Sequence, residues 1–142
     1  MEIKKTGASI KDARMIREEV FVLEQGFCEE FDDDIDNRAT HLVFYEGEIP
    51  VAVCRYYQSE TAGAYVLGRV AVRKPYRRKN IGMQVVEAAE REILKSGGEK
   101  IVLSAQVRVQ GFYEKCGYTA QGEIYLDENC PHIRMEKKLF EI

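Results

Sequence analysis

Apolar residues recur along this chain in two rhythms, one of period two and one near 3.6, and their succession lays out the elements. Glu2–Lys5 is a short polar-apolar opening that fits an edge strand. Ile10, Ala13, Ile16, Val20 and Leu23 share one helical face behind Ser9-Ile-Lys-Asp12, a stretch of capping-box type, so a helix is predicted from there to near Gly26. THLVFYEGEIPVAVCRYY (40–57) reads as a hairpin, two β-rich runs joined at Glu46-Gly47-Glu48. AYVLGRVAV (64–72) is a further strand, in which Gly68 marks a bulge or a close backbone approach. Ile81, Val85, Val86, Ala89 and Ile93 line one face of a helix that opens at about Gly82 and is stopped by Lys95 and Gly97-Gly98.

KIVLSAQV (100–107) is a continuous apolar run of strand length, as a central strand requires. A short helix around Val109–Cys116 ends at Gly117, and YTAQGEIYL and HIRMEKKLF close the chain as two strands. The order β-α-β-β-β-α-β-α-β-β predicts an α/β (mixed α+β) fold, a mixed sheet with helices packed on it. With 142 residues and neither linker nor repeat, residues 1–142 form a single domain.

The segment EEFDDDID (29–36) has six carboxylates in eight residues, too acidic for regular core structure, and reads as a solvated loop. It is no calcium loop, because the sixth position from Asp32 is Asn37 rather than Gly and the twelfth is Val43 rather than Glu. The composition, 45% hydrophobic and 32% charged, is that of a soluble globular chain, and no apolar run approaches membrane-spanning length. The N-terminus carries no apolar stretch of signal-peptide type, so a cytoplasmic protein is expected. Cys28, Cys54, Cys116 and Cys130 contain no C-x-x-C pair, and only His41 and His132 accompany them, so thiols and no metal are expected. A net charge of −3 argues against bulk attraction to nucleic acid.

Against that acidity, RKPYRRKNIG (73–82) gathers five cations in its first seven residues, just where a helix begins. Cations there oppose the positive end of the helix dipole, at about 0.3–1 kcal/mol each. Unpaired N–H groups of a first helical turn bind anions. Gly82 would let a bulky ligand near the backbone, and Arg77, Arg78 and Lys79 would add charge-assisted contacts to phosphate. The spacing is that of neither a P-loop nor a dinucleotide fingerprint. From the loop alone, a polyphosphate site and an ordinary solvated basic loop are equally compatible.

A second motif, VQGFYEKCGY (109–118), follows the strand at 100–106. With both in hand, the chain resembles the GNAT superfamily of acetyl-CoA-dependent N-acetyltransferases. The phosphate-binding loop of that family, [Q/R]-x-x-G-x-[G/A], is matched by Arg77-Arg78-Lys79-Asn80-Ile81-Gly82 at its first and last positions. Asn80 replaces the first glycine, and among side-chain-bearing residues Asn best adopts left-handed conformations. Phe112-Tyr113-Glu114-Lys115-Cys116-Gly117-Tyr118 matches the second family motif, while Gln106 stands where Asn is frequent. VFVLEQGF, DDDIDNRATHLV and PHIRMEKKL further resemble small bacterial members of the YjcF/ElaA type.

The resemblance implies an acyl-CoA N-acyltransferase fold, a mostly antiparallel sheet with splayed central strands and helices on both faces. It implies acetyl-CoA as co-substrate, bound by the backbone of Val70, Ala71 and Val72, by Arg77, Arg78, Lys79, Asn80, Ile81 and Gly82, and by Gln106, Phe112 and Tyr113. Val72 N–H would be the oxyanion donor and Tyr113 the general acid. The acceptor would be a small-molecule or peptide amine, attacked directly in a ternary complex by a monomer or homodimer with no nucleic-acid or membrane partner. For the base, Glu24, Glu29, Glu30, the Asp32–Asp36 cluster and His41 lie in acceptor-side segments, with Glu24 or His41 put forward and His132 as a second candidate. A strand-end histidine such as His41 is more often a satisfied structural residue than a base. The alternative is a non-catalytic CoA-binding sensor or partner module.

Overall fold

The computed structural model describes residues 1–7 and 10–139; the cap assigned to Ser9 lies outside the described residues. Strands β1 (Glu2–Thr6), β2 (Thr40–Glu46), β3 (Ile49–Gln58), β4 (Ala64–Val72), β5 (Lys100–Gln106), β6 (Thr119–Asp127) and β7 (Cys130–Lys138) form one sheet in the order β1-β2-β3-β4-β5-β7-β6. Every neighbouring pair is antiparallel except β4 and β5, which run parallel. The predicted mixed sheet is therefore present. Helix α1 (Lys11–Arg17) continues as a π-helical stretch, Glu18–Glu24, followed by α2 (Asp33–Arg38), α3 (Ile81–Lys95) and α4 (Gln110–Lys115).

Period-two alternation sends the sheet's side chains into two cores. Leu42, Phe44, Ala52, Cys54 and Tyr56 meet Val85, Val86, Ala89 and Ile93 of α3, while Val43, Tyr45 and Val53 meet Ala13, Ile16 and Val20 on the other face. Helices thus cover both faces.

Helix α2 corrects the reading of 29–36 as a solvated loop. Asp32 caps it, accepting from the Ile35 N–H at 3.3 Å, and Asp33 and Asp34 in the first turn face the positive end of the dipole. Two acidic side chains of this run are buried outright. Glu30 and Asp36 are 4% and 2% exposed because the fully buried Arg17 bonds both. Arg55 adds a bond to Asp36 at 2.7 Å, and Arg69 an ion pair to Glu30 at 2.9 Å. Arg17 stands where α1 becomes a π-helix, and its guanidinium, like that of Arg14, lies over the Phe31 ring.

The irregularity expected at Gly68 is a bulge in β4. Between the pairs Val53–Ala71 and Arg55–Gly68, β4 advances three residues against two in β3, and Arg69 takes φ +51°. One extra residue exchanges the faces of everything beyond it. Leu67 packs on the α3 side; past the bulge Ala71 packs on the α1 side, and Val70 and Val72 return to the α3 side.

Candidate active site

Strands β4 and β5 pair only at Ala64–Lys100, Tyr65–Ile101 and Val66–Val102. Beyond those pairs they diverge and leave a cleft of about 690 Å³. In an antiparallel ladder, residues alternate between bonding their partner and turning both polar groups away. Arg73 N–H donates to the Val51 carbonyl at 2.9 Å, which puts the neighbouring pair Ala52–Val72 in the outward phase. The N–H and C=O of Val72 therefore face the cleft. Arg77 Nε takes the carbonyl at 2.8 Å, leaving the N–H open. Ala71, opposite Val53, is in the other phase and turns its groups to β3.

The cleft runs into the start of α3. Asn80, the residue before that helix, has φ 60° and ψ 16° and makes no side-chain cap, and no acidic residue occupies the first turn. The first helical bond runs from Gln84 N–H to the Asn80 carbonyl, at 3.2 Å, so the N–H groups of Ile81, Gly82 and Met83 precede it. Arg78 is left-handed too, with φ 65°. Left-handed residues alternating along a loop curl backbone N–H groups toward a common centre, a concavity suited to anions. Asn80 thus adopts the glycine-like conformation that its identity made accessible. Gly82 also lets the Phe112 ring approach closely, since a Cβ there would lie 3.2 Å from Phe112 Cζ and the ring would have to shift by a few tenths of an ångström.

Of the residues singled out from the sequence, Val70, Ala71, Val72, Arg77, Arg78, Asn80, Ile81, Gly82, Gln106, Phe112 and Tyr113 line this one cleft. Lys79 does not; its Nζ lies 5.9 Å from the Tyr76 ring centroid. Arg77 donates to both carboxylate oxygens of Glu24, at 2.6 and 2.8 Å. Gln106 donates to Gln25 at 2.8 Å and accepts from Arg108 at 2.9 Å. Tyr113 packs edge-on to Phe112 and Tyr118, and burial pushes its phenol well above the ordinary value, so it keeps its proton at neutral pH.

Neither base put forward from the sequence lies among the cleft-lining residues. Glu24 is held below the usual carboxylate range by its Arg77 hydrogen bonds. His41 is fully buried, with Nε2 2.9 Å from the Asp36 carbonyl, and burial pushes its pKa down. Glu29, Glu30 and His132 do line the cleft, joined by Asp127 and Glu128, which sequence reasoning did not single out. Glu128 caps the backbone of the 28–29 segment, accepting from Cys28 and Glu29 N–H at 2.8 and 3.2 Å. Burial raises the Cys116 thiol, the opposite of what a nucleophilic thiolate needs. Charge is polarised along the cleft, with Arg77, Arg78, Arg108 and Lys115 contributing cations and Glu29, Asp127 and Glu128 carboxylates. Among the described residues, no cluster of His, Cys, Asp and Glu could hold a metal ion, and no helix is long and apolar enough to cross a membrane.

A gap between parallel central strands that opens onto a bare helix start defines an acyl-CoA N-acyltransferase fold, and solved structures agree. An acyl-CoA N-acyltransferase from Pseudomonas aeruginosa is similar, with a TM-score of 0.85 at 27% identity over 96% of this chain and 98% of that one. An aminoglycoside 6'-N-acetyltransferase complexed with coenzyme A shares the fold, with a TM-score of 0.79 at 16% identity over 100% and 99% of the two chains. The family model of the acetyltransferase (GNAT) domain matches residues 6–139, and the chain belongs to that family. Its sequence is 36% identical over 137 residues, 95% of this chain and 96% of the relative, to the uncharacterized N-acetyltransferase YjcF of Bacillus subtilis.

Proposed function

We propose that this chain transfers the acetyl group of acetyl-CoA to a primary amine, by direct attack in a ternary complex. The observation that carries the reading is the continuous path from the uncapped start of α3, through the unpaired edge of β4, to the open N–H of Val72. In this reading the pyrophosphate sits on the amides of Ile81, Gly82 and Met83 with Arg78 beside it. Arg77 shares its charge with Glu24. The pantetheine arm follows β4, and Val72 N–H donates to the thioester oxygen as it becomes an oxyanion, a contribution of about 2.7–4 kcal/mol for donors of this kind. CoA bound to the aminoglycoside acetyltransferase of the same fold supports the co-substrate.

The reaction then balances as follows. The acceptor ammonium loses a proton, and the free amine attacks the carbonyl carbon to form a C–N bond. The C–S bond breaks with its electron pair on sulfur, and Tyr113 protonates the thiolate. The nitrogen sheds its remaining extra proton to restore Tyr113. A phenol is a weaker acid than a thiol, and burial raises Tyr113 further, so the acid accelerates departure only modestly. Tyr113→Phe should lower turnover on the order of ten- to a hundredfold, at or below the low end of acid–base effects. The test follows CoA thiol release from acetyl-CoA across a panel of alkyl amines, for wild type and variant. Acceptor-dependent release that Tyr113→Phe leaves unchanged, with chemistry rate-limiting, rejects the acid. CoA binding without any acceptor-dependent release would make the chain a CoA-holding module instead.

A further inference from the structure

The reading above leaves open which group takes the ammonium proton. His132 lies on β7 directly opposite Gln106, the last residue of β5, at the open end of the splay. Its neighbours Ile133 and Met135 belong to the core under α3. By strand alternation His132 therefore projects to the α1 face, where Gln106 meets Gln25 and where Arg69 meets Glu30. It is 7% exposed and lines the cleft.

The chemistry of this ring is fixed by one bond. His132 Nδ1 lies 2.8 Å from the Cys130 carbonyl, and a carbonyl only accepts, so Nδ1 carries the hydrogen. The neutral ring must then hold its lone pair on Nε2. No described residue bonds that nitrogen. Tyr125 stacks on the ring at 6.1 Å with 26° between planes, Phe27 meets it edge-on at 6.4 Å, and the Tyr125 hydroxyl is tied to Ser104. The ring is thus clamped in plane and tautomer, its basic atom free.

The other proton acceptors of the cleft are engaged or peripheral. Glu30 is committed to Arg17 and Arg69, and Glu128 to two backbone N–H groups. Glu29 and Asp127 are exposed on the rim.

Resting on the acetyltransferase reading, we propose that His132 is the general base of this enzyme. Its Nε2 takes one proton from the acceptor ammonium on the α1 face of the sheet and passes it to solvent. The Nδ1–H bond to Cys130 persists in both protonation states, so the ring need not turn over during the cycle. Glu29, Asp127 and Glu128, which line the same cleft, favour a cationic acceptor.

The experiment compares wild type and His132→Gln on two acceptors: the alkyl amine best used by wild type, and aniline, which is uncharged at neutral pH. With the alkyl amine the variant should lose on the order of 10²–10⁴-fold in kcat, and added imidazole should restore part of it. With aniline the loss should be less than about tenfold, since there is no ammonium proton to remove. CoA affinity should be unchanged by calorimetry. Equal losses on both acceptors without imidazole rescue, or no loss on either, overturn the assignment. If wild type itself releases no acceptor-dependent thiol, the acetyltransferase reading falls and this one with it.

A second measurement does not depend on the variant folding. The chain has two histidines, and His41 is sealed against Asp36. Of the two, only His132 lines the open cleft, so diethyl pyrocarbonate should modify it and spare His41, abolishing transfer to the alkyl amine while CoA still binds. Full activity after stoichiometric modification of His132 contradicts the proposal.

Discussion

Single residues set the shape of the loop ahead of α3. Asn80 and Arg78 hold left-handed backbone at φ 60° and 65°, a conformation that costs most L-residues roughly 1–2 kcal/mol. Asn80→Gly should therefore keep both stability and CoA affinity, whereas Asn80→Val, β-branched at positive φ, should lose about 1–2 kcal/mol or more in urea unfolding and bind CoA more weakly. A Val variant as stable and as tight as Asn would show that the left-handed turn is not needed. At this scale the sequence was informative, because glycine-like backbone can be inferred from residue type. Asn80 in the glycine position of the loop pointed to the turn that is observed. The phase of Val72 was not legible, since it depends on Arg73 bonding Val51 across the hairpin.

Elements carry the polar core that sequence patterning could not resolve. Arg17 from α1, Arg55 from β3 and Arg69 from the β4 bulge converge on Glu30 and Asp36. Patterning counts a charge as outward unless a partner is visible, and these partners lie 13 to 39 residues away along the chain. The one local hint was Phe31 and Ile35, spaced four apart inside the acidic run. By contrast the hairpin and α3 were legible because their apolar periods are strong and their turns carry glycine. Two groups of this cluster tie stability to pH. Burial lowers His41 from an ordinary 6.5. Burial opposes ionisation of Asp36, but the Arg17 and Arg55 hydrogen bonds prevail and lower it from an ordinary 3.8. Both groups bind protons more readily unfolded, so each stabilises the fold above its unfolded pKa and loses that contribution as pH falls toward its folded one. The thermal midpoint should fall as pH drops below about 6.5, and again below about 4. His41→Gln, which can still donate to the Asp36 carbonyl, should flatten the slope between pH 7 and about 5.5; an unchanged slope would mean that His41 does not carry it.

At the scale of the whole molecule, the sheet is a device for opening one gap in an otherwise continuous ladder. The bulge in β4 turns Arg69 and Ala71 to one face and Val70 and Val72 to the other, while α3 and α1 cover the two cores on either side of the sheet. In the proposed function, the cations gathered ahead of α3 are tolerated because the pyrophosphate of the cofactor completes them. The most direct test is calorimetric titration of CoA into wild type and into a variant with Arg77, Arg78 and Lys79 each changed to Gln. Charge-assisted bonds contribute about 1.5–3 kcal/mol each. Wild type should bind CoA, and the variant should bind it on the order of a hundredfold more weakly. No binding by wild type, or equal affinity in the variant, would contradict the account.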